Sequence, residues 1–247
     1  MLEADANRIE VTCRVRARSV PPIVARVPMR HAIARALVGV PFASSMAAPG
    51  PGGSAARHRL YDWIAGTDGE RGVAILGGDV GVVRVEPRVL SVESSNVDAD
   101  GVSVTRFALL PFRQGAKRAG LAAQAAEYAT PFVAATTDVH PGARPPRHSF
   151  ASLSCSGSEG RSFEGAESGV QLSALQSSPD GDAWTIRLVE TTGLAREVVL
   201  SFERPLFGAE RVDWRGEKAG DLRVEDGRVR FLIGPARVET IRVRLRP

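Results

Sequence analysis

Apolar and polar residues alternate with a period of two through much of the chain. Ile9, Val11, Cys13 and Val15 alternate with Arg8, Glu10, Thr12, Arg14 and Arg16, which predicts a half-buried strand with a polar outer face. Further strand-like runs follow at residues 23–27, 37–42, 73–76, 80–85 and 102–110. Residues 43–57 are mostly Pro, Gly, Ser and Ala without periodicity, and this predicts a loop that interrupts the strands. One segment has a helical pattern. Residues 114–128 are rich in alanine, place Leu121, Ala125 and Tyr128 on one face, and run toward a stop at Pro131.

A proline-rich break follows at residues 141–147 and predicts a boundary between two β units. Beyond it the hairpin signals sharpen. Val170, Leu172 and Ala174 lead through residues 178–182, with Asp180 and Gly181 as the turn pair, to Trp184, Ile186 and Leu188. Val198 and Leu200 precede a run at 209–214. Leu222 and Val224 reach Asp226 and Gly227, then Val229, Phe231 and Ile233. Val238, Ile241, Val243 and Leu245 close the chain. Short strands with turns at this spacing predict a β-sandwich, and the chain as a whole reads as mainly β with one short Ala-rich helix.

Composition narrows the chemistry more than it reveals it. With 43% hydrophobic and 24% charged residues in 247, the chain has a globular balance and enough length for a core. Its 32 basic residues include only two lysines, Lys117 and Lys218, a skew that reads as codon bias. The excess of arginine lies in residues 1–60, without a dense run or interleaved aromatics, so nucleic acid is not an expected partner. Cys13 and Cys155 are the only cysteines. They form no C-x-x-C, and Cys13 occupies an apolar strand position that suits an inert thiol. No apolar stretch reaches membrane-spanning length, and residues 29–48 imitate a secretory leader only superficially. The expectation is a cytoplasmic protein without membrane contact.

No catalytic constellation stands out. His31, His58, His140 and His148 show no helical metal-ligand spacing, so no metal site is expected. Glycoside hydrolysis needs two carboxylates facing one bond, whereas most acids here fall in turns, as Asp180, Asp182 and Asp226 do, or at outward strand positions. Glu190, at a strand end, reads as a sheet-edge or turn hydrogen-bond acceptor. No nucleophile elbow, P-loop or dinucleotide fingerprint occurs. Trp184 shares its face with Ile186 and Leu188 and reads as core; Trp214, two after Val212, reads as core or rim. Tyr61 and Trp63, beside His58 and Asp62, are the candidate exposed aromatics for carbohydrate contact, with packing inside the domain as the alternative.

Four segments of the second half follow one another in a familiar order: residues 170–176, 186–193, 209–214 and 231–241. Their order and spacing resemble the C-terminal β region of glycoside hydrolase family 38 α-mannosidases. That family shows a leucine-x-alanine-leucine-lysine strand, an isoleucine-arginine-leucine strand ending in glutamate before a glycine, and a closing proline-x-x-isoleucine-x-threonine strand. Gln176 replaces the lysine here, and Val238 stands at the isoleucine. Upstream, residues 71–76 and 105–112 and the helix followed by Thr130 and Pro131 agree more loosely.

The resemblance implies three regions. Residues 1–140 would be part of a β supersandwich of the galactose-mutarotase-like kind, 141–149 a linker, and 150–247 a C-terminal β-sandwich. The family's aspartate nucleophile and zinc lie on an N-terminal α/β domain that has no counterpart among these residues. The expectation is therefore a chain without cofactor or catalytic residues of its own: a fragment, a subunit of a split enzyme or an inactive remnant. Its partner would be a catalytic α/β barrel or an α-mannoside sugar. A free-standing carbohydrate-binding module is the alternative.

Overall fold

The computed structural model describes residues 7–16, 23–40, 43–47, 55–77, 80–94, 98, 100–113, 115–116, 118–130, 133, 135–136, 145, 148–156, 162–164, 169–178 and 181–245. The chain divides into two compact units, Met1–Pro131 and Phe132–Pro247. The division falls just after the helix. Residues 137–144, which carry most of the proline-rich boundary read from the sequence, lie outside the described residues.

The first unit runs β1 (Ile9–Arg16), β2 (Ile23–Pro28), β3 (Arg35–Val40), β4 (Ala43–Ala47), β5 (Ala56–Arg59), β6 (Trp63–Thr67), β7 (Gly72–Gly77), β8 (Val80–Glu86), β9 (Val89–Ser94), β10 (Val102–Phe112) and α1 (Leu121–Ala129). The strands form two antiparallel sheets, β1-β10-β7-β6-β3-β4 and β2-β9-β8-β5. Val38, Ile64, Ile75 and Phe107 of the first sheet pack in one cluster with Val83, Val85, Leu90 and Val92 of the second. The other face of the six-stranded sheet presents Trp63, Ala65, Ala74, Leu76, Ala108 and Leu110, and these pack against Leu121 and Ala125 of α1. The unit is thus three layers deep, with its middle sheet apolar on both sides. That is why every residue of β6 is buried and no alternation marks it in the sequence.

Two expectations for this unit are corrected. Residues 43–57 are not one loop, because β4 lies within them and β5 begins at Ala56; residues 48–54 are outside the described residues. These strands owe their place to backbone pairing with β3 and β8, which side-chain periodicity does not report. The helix begins at Leu121 and not at residue 114. Gly115 and Gly120 adopt left-handed φ values of 81° and 59°, so the segment before Leu121 is a turn. The apolar stripe itself holds, with Leu121 and Ala125 buried and Tyr128 packed beside them.

The second unit runs β11 (Ala151–Ser156), β12 (Ser162–Glu164), β13 (Val170–Ser177), β14 (Trp184–Glu190), β15 (Arg196–Phe202), β16 (Leu206–Val212), β17 (Lys218–Leu222), β18 (Val224–Glu225), β19 (Arg228–Ile233) and β20 (Val238–Leu245). Two five-stranded antiparallel sheets result, β12-β11-β15-β19-β18 and β13-β14-β20-β16-β17. Val198, Leu200, Val229, Phe231 and Ile233 meet Ile186, Leu188, Ile241 and Val243 in the sandwich core. Trp184 packs against this core, its ring 5.8 Å from that of Phe150. Asp226 and Gly227 join β18 to β19 with φ of 50° and 72°, the two left-handed residues of a type I′ hairpin turn. Gly181 is left-handed at the turn after β13; Asp180 lies outside the described residues.

Two sequence readings change here. Leu222 and Val224, which read as one strand, belong to different sheets, since the chain crosses from β17 to β18 between them. Leu172 does not share the buried face of Val170: it is 57% exposed, at a register shift between Leu172 and Ala174 of the edge strand β13.

Candidate functional site

The aromatic pair singled out by sequence is split by the fold. Tyr61 stands just past the end of β5 and is 53% exposed, with the Arg59 guanidinium 6.0 Å from its ring centre. Trp63 opens β6 and is 5% exposed. This corrects its reading as a carbohydrate contact: the indole lies in the cluster between the middle sheet and α1 and presents no face to a sugar. Room for it comes from Gly39 on the adjacent β3, where an added Cβ would sit 2.6 Å from the indole Nε1. Tyr61 is left as a single exposed ring.

The outer face of the β2-β9-β8-β5 sheet carries a buried carboxylate. Glu93 of β9 is 2% exposed. Its Oε1 accepts from Arg84 Nη2 at 2.8 Å and from Nε at 3.2 Å, and its Oε2 accepts from Arg57 Nε at 3.1 Å and from Arg57 Nη2. The register sets this up, because Arg57 pairs with Arg84 across β5 and β8 while β9 adjoins β8. Burial works to raise the Glu93 carboxyl, but the two guanidiniums outweigh it and hold the group below the ordinary carboxylate value.

Glu190 is fully buried at the end of β14 and fulfils the reading of a turn acceptor. Its Oε1 accepts from the Thr192 N–H at 2.7 Å and from the Thr192 hydroxyl. Its Oε2 accepts from the N–H groups of Gly193 at 2.7 Å, Leu194 at 3.2 Å and Ala236 at 2.8 Å. One carboxylate therefore closes the turn after β14 and ties it to the loop before β20. Glu210 of β16, 7% exposed, accepts from Arg242 Nη1 at 3.1 Å and from Arg244 Nη2 at 3.4 Å. Glu93, Glu190 and Glu210 are buried exceptions to the general placement of the acids in turns or at outward positions. Each of the three is consumed by its own donors, as structural carboxylates are.

The clefts are shallow. One is lined by His31, Asp68 and Arg71, where Asp68 is held below the ordinary carboxylate value chiefly by the N–H groups of Arg71 and Glu70. Another is lined by Glu225, Asp226, Arg228 and Arg230 at the β18–β19 hairpin. His148 meets Glu203 at 3.0 Å, while His140 lies outside the described residues. Among the described residues no group of three His, Cys, Asp or Glu side chains is placed to hold a metal ion, and no helix is long and apolar enough to cross a membrane. Cys13 and Cys155 are not joined in a disulfide.

The aromatic that sequence reasoning missed is Trp214. It stands at the β16–β17 turn, 80% exposed, with the Arg215 guanidinium 4.7 Å from its ring centre. Its spacing from Val212 suggested core or rim, but β16 ends at Val212 and the alternation ends with it. Asp213, an acid directly before the tryptophan, was the available signal of a turn.

No family model and no curated protein sequence matches the chain. Solved structures do. An alpha-mannosidase from Enterococcus faecalis V583 matches with a TM-score of 0.73 and 14% identity, over 96% of this chain and 27% of that one. A protein of glycosyl hydrolase family 38 from Enterococcus faecalis matches with a TM-score of 0.71 and 15% identity, over 96% of this chain and 28% of that one. The chain has the fold of a part of these proteins and spans about a quarter of their length. Among the described residues the strands form four antiparallel sheets beside one helix, and the mainly β fold class is the one that the sequence resemblance implied.

Proposed function

We propose that these residues form the non-catalytic β part of an α-mannosidase-type protein of glycoside hydrolase family 38. They would support the active site of a catalytic barrel located outside the 247 residues, either on a longer chain or on a partner. The observation that carries this reading is the match in fold over 96% of the chain to about a quarter of an α-mannosidase. The buried carboxylates agree with a supporting role, because each is satisfied internally and none is free for acid–base chemistry on a glycosidic bond. Terminal α-mannosides would be the substrates of the assembled enzyme, a zinc ion would belong to the barrel, and the place of work would be the cytoplasm.

The test is co-expression of the chain with a barrel-encoding frame found next to it in its genome. Zinc-dependent hydrolysis of 4-nitrophenyl α-mannoside is expected only when both are present. Hydrolysis by this chain alone, or undiminished hydrolysis by the barrel without it, overturns the reading. A genome that encodes no such barrel, on the same chain or beside it, points instead to an inactive remnant. A free-standing carbohydrate-binding module is the second reading. It loses Trp63 and keeps Tyr61, whose 53% exposure is the observation in its favour.

A further inference from the structure

A strand at the edge of a sheet offers unpaired N–H and C=O groups to any other strand, and charge, proline or shortness normally keeps other strands away. Most edges here carry such a block. β1 has Glu10, Arg14 and Arg16, β17 has Lys218 and Asp221, and β2 and β5 carry arginines. β12 and β18 have only three and two residues, and β4 has five. β13 differs from all of them. It is an edge strand of eight residues, Val170–Ser177, with no charged residue and no proline. Among the described residues, the backbone of 171–177 pairs with β14 alone.

The register sets Leu172 beside Leu188 and Leu175 beside Ile186. A regular strand puts residues three apart on opposite faces, but the shift between Leu172 and Ala174 brings these two leucines to one face. At 57% and 45% exposure both remain uncovered. Gln171 and Gln176 flank them. The segment is thereby complementary to itself. In an antiparallel pairing about a two-fold axis between Ser173 and Ala174, Leu172 meets the partner's Leu175 and Gln171 meets the partner's Gln176. Four leucines then pack together, the paired amides exchange hydrogen bonds, and no charge enters the contact. β1, the other edge of eight residues, would bring three charges per copy to such a contact.

We propose that β13 is the dimerisation edge of this protein, pairing with β13 of a second copy so that one antiparallel sheet runs through the second units of both. The proposal does not rest on the mannosidase reading. A strand about 27 Å long buries less than a standard interface, so a dissociation constant on the order of 10 μM is expected. The test is sedimentation velocity of the full chain from about 1 to about 200 μM, with amide hydrogen exchange read at both ends of that range. The expected result is an equilibrium that stops at the dimer, because the two-fold contact uses up the edge, with slower exchange at residues 171–177 in the dimer. Leu175→Lys, at an exposed position, should raise the dissociation constant at least about tenfold. Gln176→Lys should weaken the dimer as well, whereas Arg14→Glu and Trp214→Ala should leave it unchanged. Four results overturn the proposal: a chain that is monomeric at the highest concentration, growth past the dimer, exchange at 171–177 that does not depend on concentration, or a dimer that survives Leu175→Lys.

Discussion

Glu93 shows how a charged residue is kept inside a sheet face. Two arginines on two other strands wrap it, and their guanidiniums overcome the cost of taking a carboxylate out of water. Its pKa is depressed in the folded chain, so its contribution is fully present above the unfolded carboxylate value of about 4–5 and is lost as the pH falls through the lower folded value. Glu93→Gln should cost about 1–3 kcal/mol at pH 7 in urea denaturation. The gap to the native chain should close as the pH drops below about 5, and a gap independent of pH would show that the carboxylate charge plays no part. Sequence alone could not reveal this residue. In the run from Val89 to Ser94, Glu93 alternates with Leu90 and Val92 and so reads as solvent-facing; burial comes from arginines 9 and 36 residues away. Glu190 was legible, because an acid that ends a strand and precedes Thr-Thr-Gly meets the backbone donors of its own turn.

At the scale of elements, what the sequence disclosed depended on how each strand is covered. Strands with one wet face, such as β1 and β19, alternate and were readable; β19 buries Val229, Phe231 and Ile233 and exposes the residues between them. Strands covered on both faces lose that alternation: β7 and β10 were still legible as apolar runs, and β6 was not. β6 is buried throughout, with Ala65 packed toward the helix and Gly66 against Ile33 on the other face. The serine-rich β11 was missed for the opposite reason: only Cys155 is fully buried along it, while serines line the other face. Close packing around Trp63 can be tested directly. A Cβ at Gly39 would meet the indole at 2.6 and 2.7 Å, so Gly39→Ala should destabilise the chain by about 1–3 kcal/mol and shift Trp63 fluorescence. An unchanged melting temperature would show that the indole can move aside.

The first unit, taken whole, is a sheet held between a second sheet and a single helix of nine residues. α1 is rich in alanine, but it has a left-handed N-cap without a side-chain cap bond, no acidic residue in its first turn and only nine residues, too few for a helix to stand alone. It persists because Leu121 and Ala125, each 2% exposed, are buried against β6 and β7. Leu121→Asp should expose Ala65, Ala74, Leu76, Ala108 and Leu110 together, which would appear as strong binding of a hydrophobic dye while far-ultraviolet circular dichroism still reports intact sheets. Retained dye exclusion would mean that the sheet closes over without the helix. The same arrangement sets how the protein is lost in handling. A single proteolytic cut near Gly115 or Gly120 would peel away the cover from an otherwise intact sheet and leave a sticky, still folded species. Precipitation during storage would then begin with clipped molecules rather than with unfolded ones.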